Sequence, residues 1–259
     1  MAQSRANVVS SFTIVKGSLI DETYAAFEHW DLESDKQANL NRLKEHNTIG
    51  ARSANWLRDF AFVLSRRFDT DGRDRVLVEL ARNGCDRELW SPLLLWHMTR
   101  DEFLLRDFLI HWLYPAFGEG VYRLMFEDVL PYLETLEKQG RTSKAWTDLT
   151  RSRVAQGLLR IGVDFGLLTG RQIKEFIPYH LPEESFIYLL YAMAETEPNA
   201  RRIIDSEEWH MFLMDASDVE RELLRLHQFR KVHYEVAGSL AQLKLPHRSS
   251  ADYARELCA

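Results

Sequence analysis

Apolar residues recur at intervals of three, four and seven through almost the whole chain, the spacing that lines one face of an α-helix. The stretch LTRSRVAQGLLRIGVDFGLLT, residues 149–169, shows it plainly. Val154, Leu158, Ile161 and Phe165 share a face, and Arg151, Arg153 and Arg160 are spread along the remainder. Helices striped in this way must pack against one another to take those faces out of water. The fold class that follows is all-α, a compact multi-helix protein.

Punctuation separates the helices. Gly17 and Ser18 introduce LIDETYAAFEHW, and residues 36–47 form a short helix around Leu40 and Leu43. Asn47-Thr48-Ile49-Gly50 is a tight turn, and a longer helix follows over 51–68. Its apolar side is Trp56, Phe60, Val63 and Leu64, with Arg52, Arg58, Arg66 and Arg67 as its polar candidates. Asp69-Thr70-Asp71-Gly72 breaks the chain, and Thr70 or Asp71 is the expected cap of a helix over 73–83. Residues 85–113 are the densest apolar region, two helices at the hydrophobic centre with His97 and His111 among them. Pro115, Gly118 and Gly120 loosen the next connection and divide the chain into an N-terminal helical region, 1–120, and a C-terminal one, 121–259.

A helix over 121–137, interrupted near Pro131, precedes the 150–165 helix, whose expected cap is Thr150 or Ser152. IKEFIPYHLP, 173–182, is too rich in proline to continue a helix, and Ile173 to Pro178 reads as a short edge strand or wing. Another helix opens at Pro182. From 201 the tail forms two more, the second running on toward Ala237, before a loose end at 247–259. Two segments, 36–68 and 131–166, have the order of helix–turn–helix-like elements, the second followed by the short wing.

Composition excludes more than it names. Cys85 and Cys258 are the only cysteines, so neither a disulfide nor a thiolate metal site is expected, and a reducing cytoplasmic setting is the simplest. The most apolar run, LWSPLLLWHM at 89–98, is far too short for a membrane span, so no membrane association is expected. No Gly-rich phosphate loop, HExxH or Gly-x-Ser-x-Gly elbow occurs, and GEG at 118–120 lacks the Lys-Ser/Thr of a nucleotide loop. The histidines are scattered; His227 and His233, six apart on one expected helix, do not converge on a metal. Asp101, Glu102, Asp107, Glu207 and Glu208 carry no spacing that marks a catalytic pair. Enzyme activity, cofactor and metal are therefore not expected.

The net charge of −6 conceals a partition. Residues 69–137 carry −7 and 175–222 carry −9, whereas 138–174, with eight Lys/Arg against two Asp/Glu, carry +6. That basic island holds the 150–165 helix. Arg151 and Arg153 in its first turn, beside exposed helix-terminal amides, suit phosphate; Gln156 can read a base edge, and Arg160 continues the polar side. Arg141, Ser143 and Lys144 precede it in a loop suited to holding a nucleic-acid backbone; Lys174 belongs to the wing segment, and Arg171 stands just before it. A solvated helix face accounts for the same charges. So does a docking surface for an acidic partner, with residues 175–222, Trp209 and Phe212 as a second interface.

SFTIVKGSLIDETYAAF at 11–27, NTIGARSANWLRDFAFVLSRRF at 47–68 and TRSRVAQGLLRIGVDFGLL at 150–168 together resemble the BrxA-like family of BREX (bacteriophage exclusion) systems. The resemblance implies a small, all-helical, non-enzymatic component, encoded beside phage-defence methylation machinery, with helix–turn–helix-like elements that bind double-stranded DNA. Carried onto this chain, it makes Arg52, Arg58, Arg151, Arg153 and Arg160 the expected contacts. Double-stranded DNA and other BREX proteins are then the expected partners. A protein–protein adaptor of the defence complex and a transcriptional regulator of its operon are the alternatives.

Overall fold

Each apolar stripe is met by another. The computed structural model describes residues 9–142, 144–237 and 240–257. In chain order the first half holds α1 (Ser11–Lys16), α2 (Ile20–Glu28), α3 (Lys36–His46), α4 (Ala54–Arg67), α5 (Arg75–Arg82), α6 (Arg87–Thr99) and α7 (Phe103–Phe108). A π-helical turn (Leu109–Leu113) runs straight on into α8 (Tyr114–Gly118). Then come α9 (Phe126–Lys138), α10 (Asp148–Asp164), β1 (Leu168–Thr169), β2 (Glu175–Phe176) and α11 (Glu183–Ala194). The tail is α12 (Ala200–Ile204), a 3-10 turn (Glu207–Phe212), α13 (Ala216–Gln228), β3 (His233–Ala237), β4 (Leu240–Lys244) and α14 (Ser250–Leu257).

The all-α expectation holds, with two small antiparallel ladders added. Helix α3 packs on α4, α9 on α10, α2 on α5, and α11 lies between α6 and α14. One apolar cluster runs from Val9 to Ala254, and Trp90, Trp209, Phe27, Phe60, Phe108 and Phe186 are wholly enclosed in it. The wing segment forms a ladder of two residue pairs, Leu168 with Phe176 and Thr169 with Glu175. Leu124 extends it by exchanging both backbone hydrogen bonds with Lys174, at 2.9 and 2.8 Å. Gly170 turns the tip at φ +100°; a Cβ there would stand 2.1 Å from the Ile173 carbonyl oxygen, so no other residue fits.

Several local expectations are corrected. Helix α10 begins at Asp148 because Thr147, rather than Thr150 or Ser152, accepts the cap bond from Thr150 N–H. Asp71 does not cap α5; its carboxylate accepts from the Lys36 N–H at the start of α3. Helix α9 runs through Pro131 and α8 includes Pro115. His111 faces solvent from the π-helical turn, whereas His97 is buried. Helix α13 stops at Gln228, and β3 and β4 pair as an antiparallel ladder instead of continuing it, so His227 and His233 lie on different elements. The end of the chain carries a two-turn helix, α14, docked on α5 and α11.

A polar network ties the core layers together. Asp74, without solvent exposure, accepts from Asp69 N–H at 2.6 Å and from Arg73 Nε at 2.9 Å, and lies 2.7 Å from His97 Nδ1. An ionised carboxylate only accepts, so Nδ1 carries the proton, leaving His97 Nε2 to meet the Tyr188 hydroxyl at 2.8 Å. Burial pushes the Asp74 carboxyl up, but the His97 and Arg73 hydrogen bonds and charges outweigh it and hold it down at about 2, below its ordinary 3.8. A depressed folded-state pKa stabilises above the unfolded value, and that stabilisation is lost as pH falls through the folded one. Asp74→Asn is expected to cost roughly 2–4 kcal/mol at neutral pH. The gap to the parent should narrow between pH 3.8 and about 2. Urea unfolding across that range measures it.

Candidate nucleic-acid interface

The site is assembled by the shortest of the early helices. Helix α1 has six residues and cannot stand alone. Its C-terminal carbonyls are gathered by Arg67, the last residue of α4, which is 1 % exposed. One guanidinium nitrogen donates to the carbonyls of Thr13 (2.9 Å) and Gly17 (2.8 Å), and the other to Ser18 (2.9 Å). Glu102 balances the charge at 3.3 Å from Nε and accepts from the Thr13 hydroxyl at 2.9 Å. Burial pulls the Arg67 pKa down and Glu102 opposes it. Arg67, a surface candidate in the sequence, is thus a core residue; it lies three after Leu64 and seven after Phe60, on the buried stripe of α4.

The other side of α1 rests on α10. Gly157 is the point of closest approach: a Cβ there would lie 2.8 Å from the Ile14 carbonyl oxygen. Further along, Ser18 donates to Asp164 at 2.6 Å. Toward α4, Lys16 pairs with Asp59 at 2.6 Å, and the rings of Phe12 and Phe62 meet edge-on at 5.4 Å. Helix α1 is therefore a bridge between the two basic helices. Residues 12 and 16 pair with 62 and 59, so α1 and α4 run antiparallel; residues 14 and 18 meet 157 and 164, so α1 and α10 run parallel.

The solvent-facing rows follow. On α4 they are Asn55, Arg58 and Phe62, with half-buried Arg66 one turn on; Arg52 is exposed just before the helix. On α10 they are Leu149, Arg153, Gln156 and Arg160, of which positions 153 and 160 flank Gly157 on the helical surface. Arg52, Arg66 and Arg153 form no ion pair among the described residues, and neither does Arg58, whose guanidinium donates to Asn55. Arg160 is 4.0 Å from Asp164. Lys144 and Arg171 are exposed, Arg171 at the wing tip. Ser143 lies outside the described residues.

Three candidates are placed otherwise. Arg151 is held by Glu137 (2.9 Å) and Asp148 (2.8 Å), and its side chain is 15 % exposed; it braces α9 against α10. Because Thr147 is the cap, the first turn of α10 also carries Asp148, which occupies the position expected to favour phosphate. Arg141 lies over the Phe103 ring at 5.2 Å and is half-buried. Lys174 donates to the Gly170 carbonyl at 2.9 Å and to that of Arg171, stapling the wing turn. Trp209 and Phe212 are enclosed in the core and offer no second interface. The described residues contain no helix long and apolar enough to cross a membrane and no three His, Cys, Asp or Glu grouped to hold a metal.

Two substitutions test the bridge. Arg67→Met leaves Glu102 buried without its counter-charge and is expected to lower unfolding free energy by about 3–5 kcal/mol, part of which the Arg67→Met/Glu102→Leu double variant restores. Gly157→Ala forces α1 from α10 and is expected to cost roughly 1–3 kcal/mol, with faster amide exchange in α1 than in α6. Denaturant unfolding and hydrogen exchange read both.

No curated protein matches this chain. The family model described as BrxA matches residues 11–191, from the first residue of α1 into α11, and so spans both basic helices and the bridge between them. The chain belongs to the BrxA family, a component of BREX phage-defence systems.

Proposed function

We propose that this protein binds double-stranded DNA on the face made by α4, α1 and α10, and that it contributes binding and no chemistry of its own to the defence system. The observation that carries the reading is that α1 touches both basic helices, so arginines far apart in sequence border one surface. Helix pairs α3–α4 and α9–α10 each present their second helix there, with the β1–β2 wing following the second pair. This is the order of a helix–turn–helix and of its winged variant. Cations on rigid helices neutralise phosphates with little ordering cost and release counterions. The excess negative charge belongs to other parts of the sequence, 69–137 and 175–222, although Glu137 of the first reaches Arg151 on α10. The local attraction for a polyanion comes from the arginines of α4 and α10 that form no ion pair among the described residues.

The binding is mainly electrostatic, which fixes its test. Anisotropy titration with a labelled random duplex is expected to show saturable binding that weakens roughly a hundredfold between about 50 and 200 mM salt, as about four phosphate contacts require. Arg58→Glu/Arg153→Glu is expected to weaken binding by about tenfold or more while retaining helical content. Arg151→Ala is expected to lower thermal stability and leave the affinity near that of the parent. No duplex binding at low salt would overturn the reading.

A further inference from the structure

The arginine-bordered face carries an apolar feature that phosphate tracking does not need. Phe12 and Phe62 are 38 % and 55 % exposed, and their rings meet at 83° at the seam between α1 and α4, with Val15 exposed beside them. Both rings stand on fixed elements. Phe62 rises from the outside of α4, whose opposite side is buried through Leu57, Phe60 and Leu64. Phe12 precedes Thr13, which Arg67 and Glu102 hold.

The helix directions place the arginines around this pair. Antiparallel packing puts Arg58 at the Lys16 end of α1 and Arg66 at the Ser11 end. Parallel packing puts Arg160 at the Lys16 end and Arg153 at the Ser11 end. The rings thus stand inside a frame of four cations. Arg58 and Arg66, eight residues apart, are separated by about 12 Å along the helix axis, enough to reach across a minor groove roughly 6 Å wide. Of the neighbouring carboxylates, Asp59 is engaged by Lys16, Asp164 by Ser18 and Arg160, and Asp21 by Arg87, while Glu22 and Glu88 share the hollow that Lys16 and Arg160 line.

An occupant must be anionic at its edges and apolar at its centre. An apolar protein surface would bury the arginines without partners, at high cost. A nucleic-acid duplex meets both demands once a base step opens, because phosphates flank the groove and the unstacked bases offer apolar faces between them. We propose that the Phe12–Phe62 pair is a wedge that enters a base step of the bound duplex from the minor groove and kinks it, while Arg58, Arg66, Arg153 and Arg160 hold the flanking phosphates. The wedge rests on the duplex-binding reading above and adds to it a deformation of the DNA. Steps that unstack easily, such as TA and CA, are then bound in preference to stiff A-tracts.

Energy transfer between dyes at the two ends of a short duplex, measured at saturating protein, tests it. The parent is expected to raise transfer by an amount matching a bend of about 20–90°. Phe12→Ala/Phe62→Ala is expected to bind roughly tenfold more weakly and to leave the duplex straight when saturated. Phe62→Gln, which alters one exposed residue only, is expected to reduce the bend, and circular dichroism checks that each variant is folded. Binding without bending, or an unchanged bend in the folded Phe12→Ala/Phe62→Ala variant, overturns the wedge and leaves duplex binding standing. Tighter, ring-dependent binding of a single strand of equal length also overturns it, making the pair a stacking platform. Absence of any duplex binding overturns the reading beneath it.

Discussion

A single buried charge pair determines whether this protein has a composite surface at all. Arg67 and Glu102 are both enclosed, and between them they take up three carbonyls and a hydroxyl from residues 13–18. Six helical residues would not otherwise stay folded against a larger body. With α1 fixed, Ile14 closes on Gly157 and Lys16 on Asp59, and the outer sides of α4 and α10 become neighbours. Without it, each basic helix would be a separate amphipathic element with a few solvated arginines. The pair needs no net stability of its own to matter: its geometry selects one position for α1, and that position defines the site.

The division of labour among the arginines follows from the same packing. Those whose positions fall within a helix contact are consumed by it: Arg67 by Glu102, Arg151 by Glu137 and Asp148. Those on the opposite side of the helix, Arg58 nine residues before Arg67 and Arg153 two after Arg151, stay outside and make no ion pair among the described residues. Structural and surface arginines therefore share the same helices, and the surface ones are few. Under the duplex-binding proposal, so modest a number of phosphate contacts on an acidic protein would give an affinity sensitive to ionic strength, with discrimination left to groove shape and deformability.

Sequence periodicity reveals the longer helices and even the ends of α3 and α10 to within a few residues, because amphipathic stripes and turn residues are local properties. The six residues of α1 are too few to show a stripe, so the sequence does not mark them as a helix. Arg67 was legible in principle, since its spacing from Phe60 and Leu64 puts it on the buried stripe, but arginine is so rarely enclosed that the residue type argues the other way. The partner that makes enclosure tolerable, Glu102, is thirty-five residues distant. Arg151 is a similar case, its partner Glu137 lying fourteen residues back. The β3–β4 ladder had a local signal: HYEVA and LAQLK are joined by a Gly-Ser pair, a two-residue turn composition between strand-like runs. The strong stripe of α13 just before it masked that signal. Phe62 had a local signal, since it falls off the apolar stripe of α4 and shares a row with Arg58 and Arg66, but Phe12 gave none, because its exposure is set only when the neighbouring helix is in place.

The most direct measurement of the composite surface is peptide-resolved hydrogen exchange of the unmodified protein with and without a random duplex. The account predicts slowed exchange in 11–16, 54–67 and 148–164 together, at one common DNA concentration, with 216–228 and the β3–β4 ladder unchanged. Protection confined to only one of the two basic helices, or centred on the tail, would contradict it.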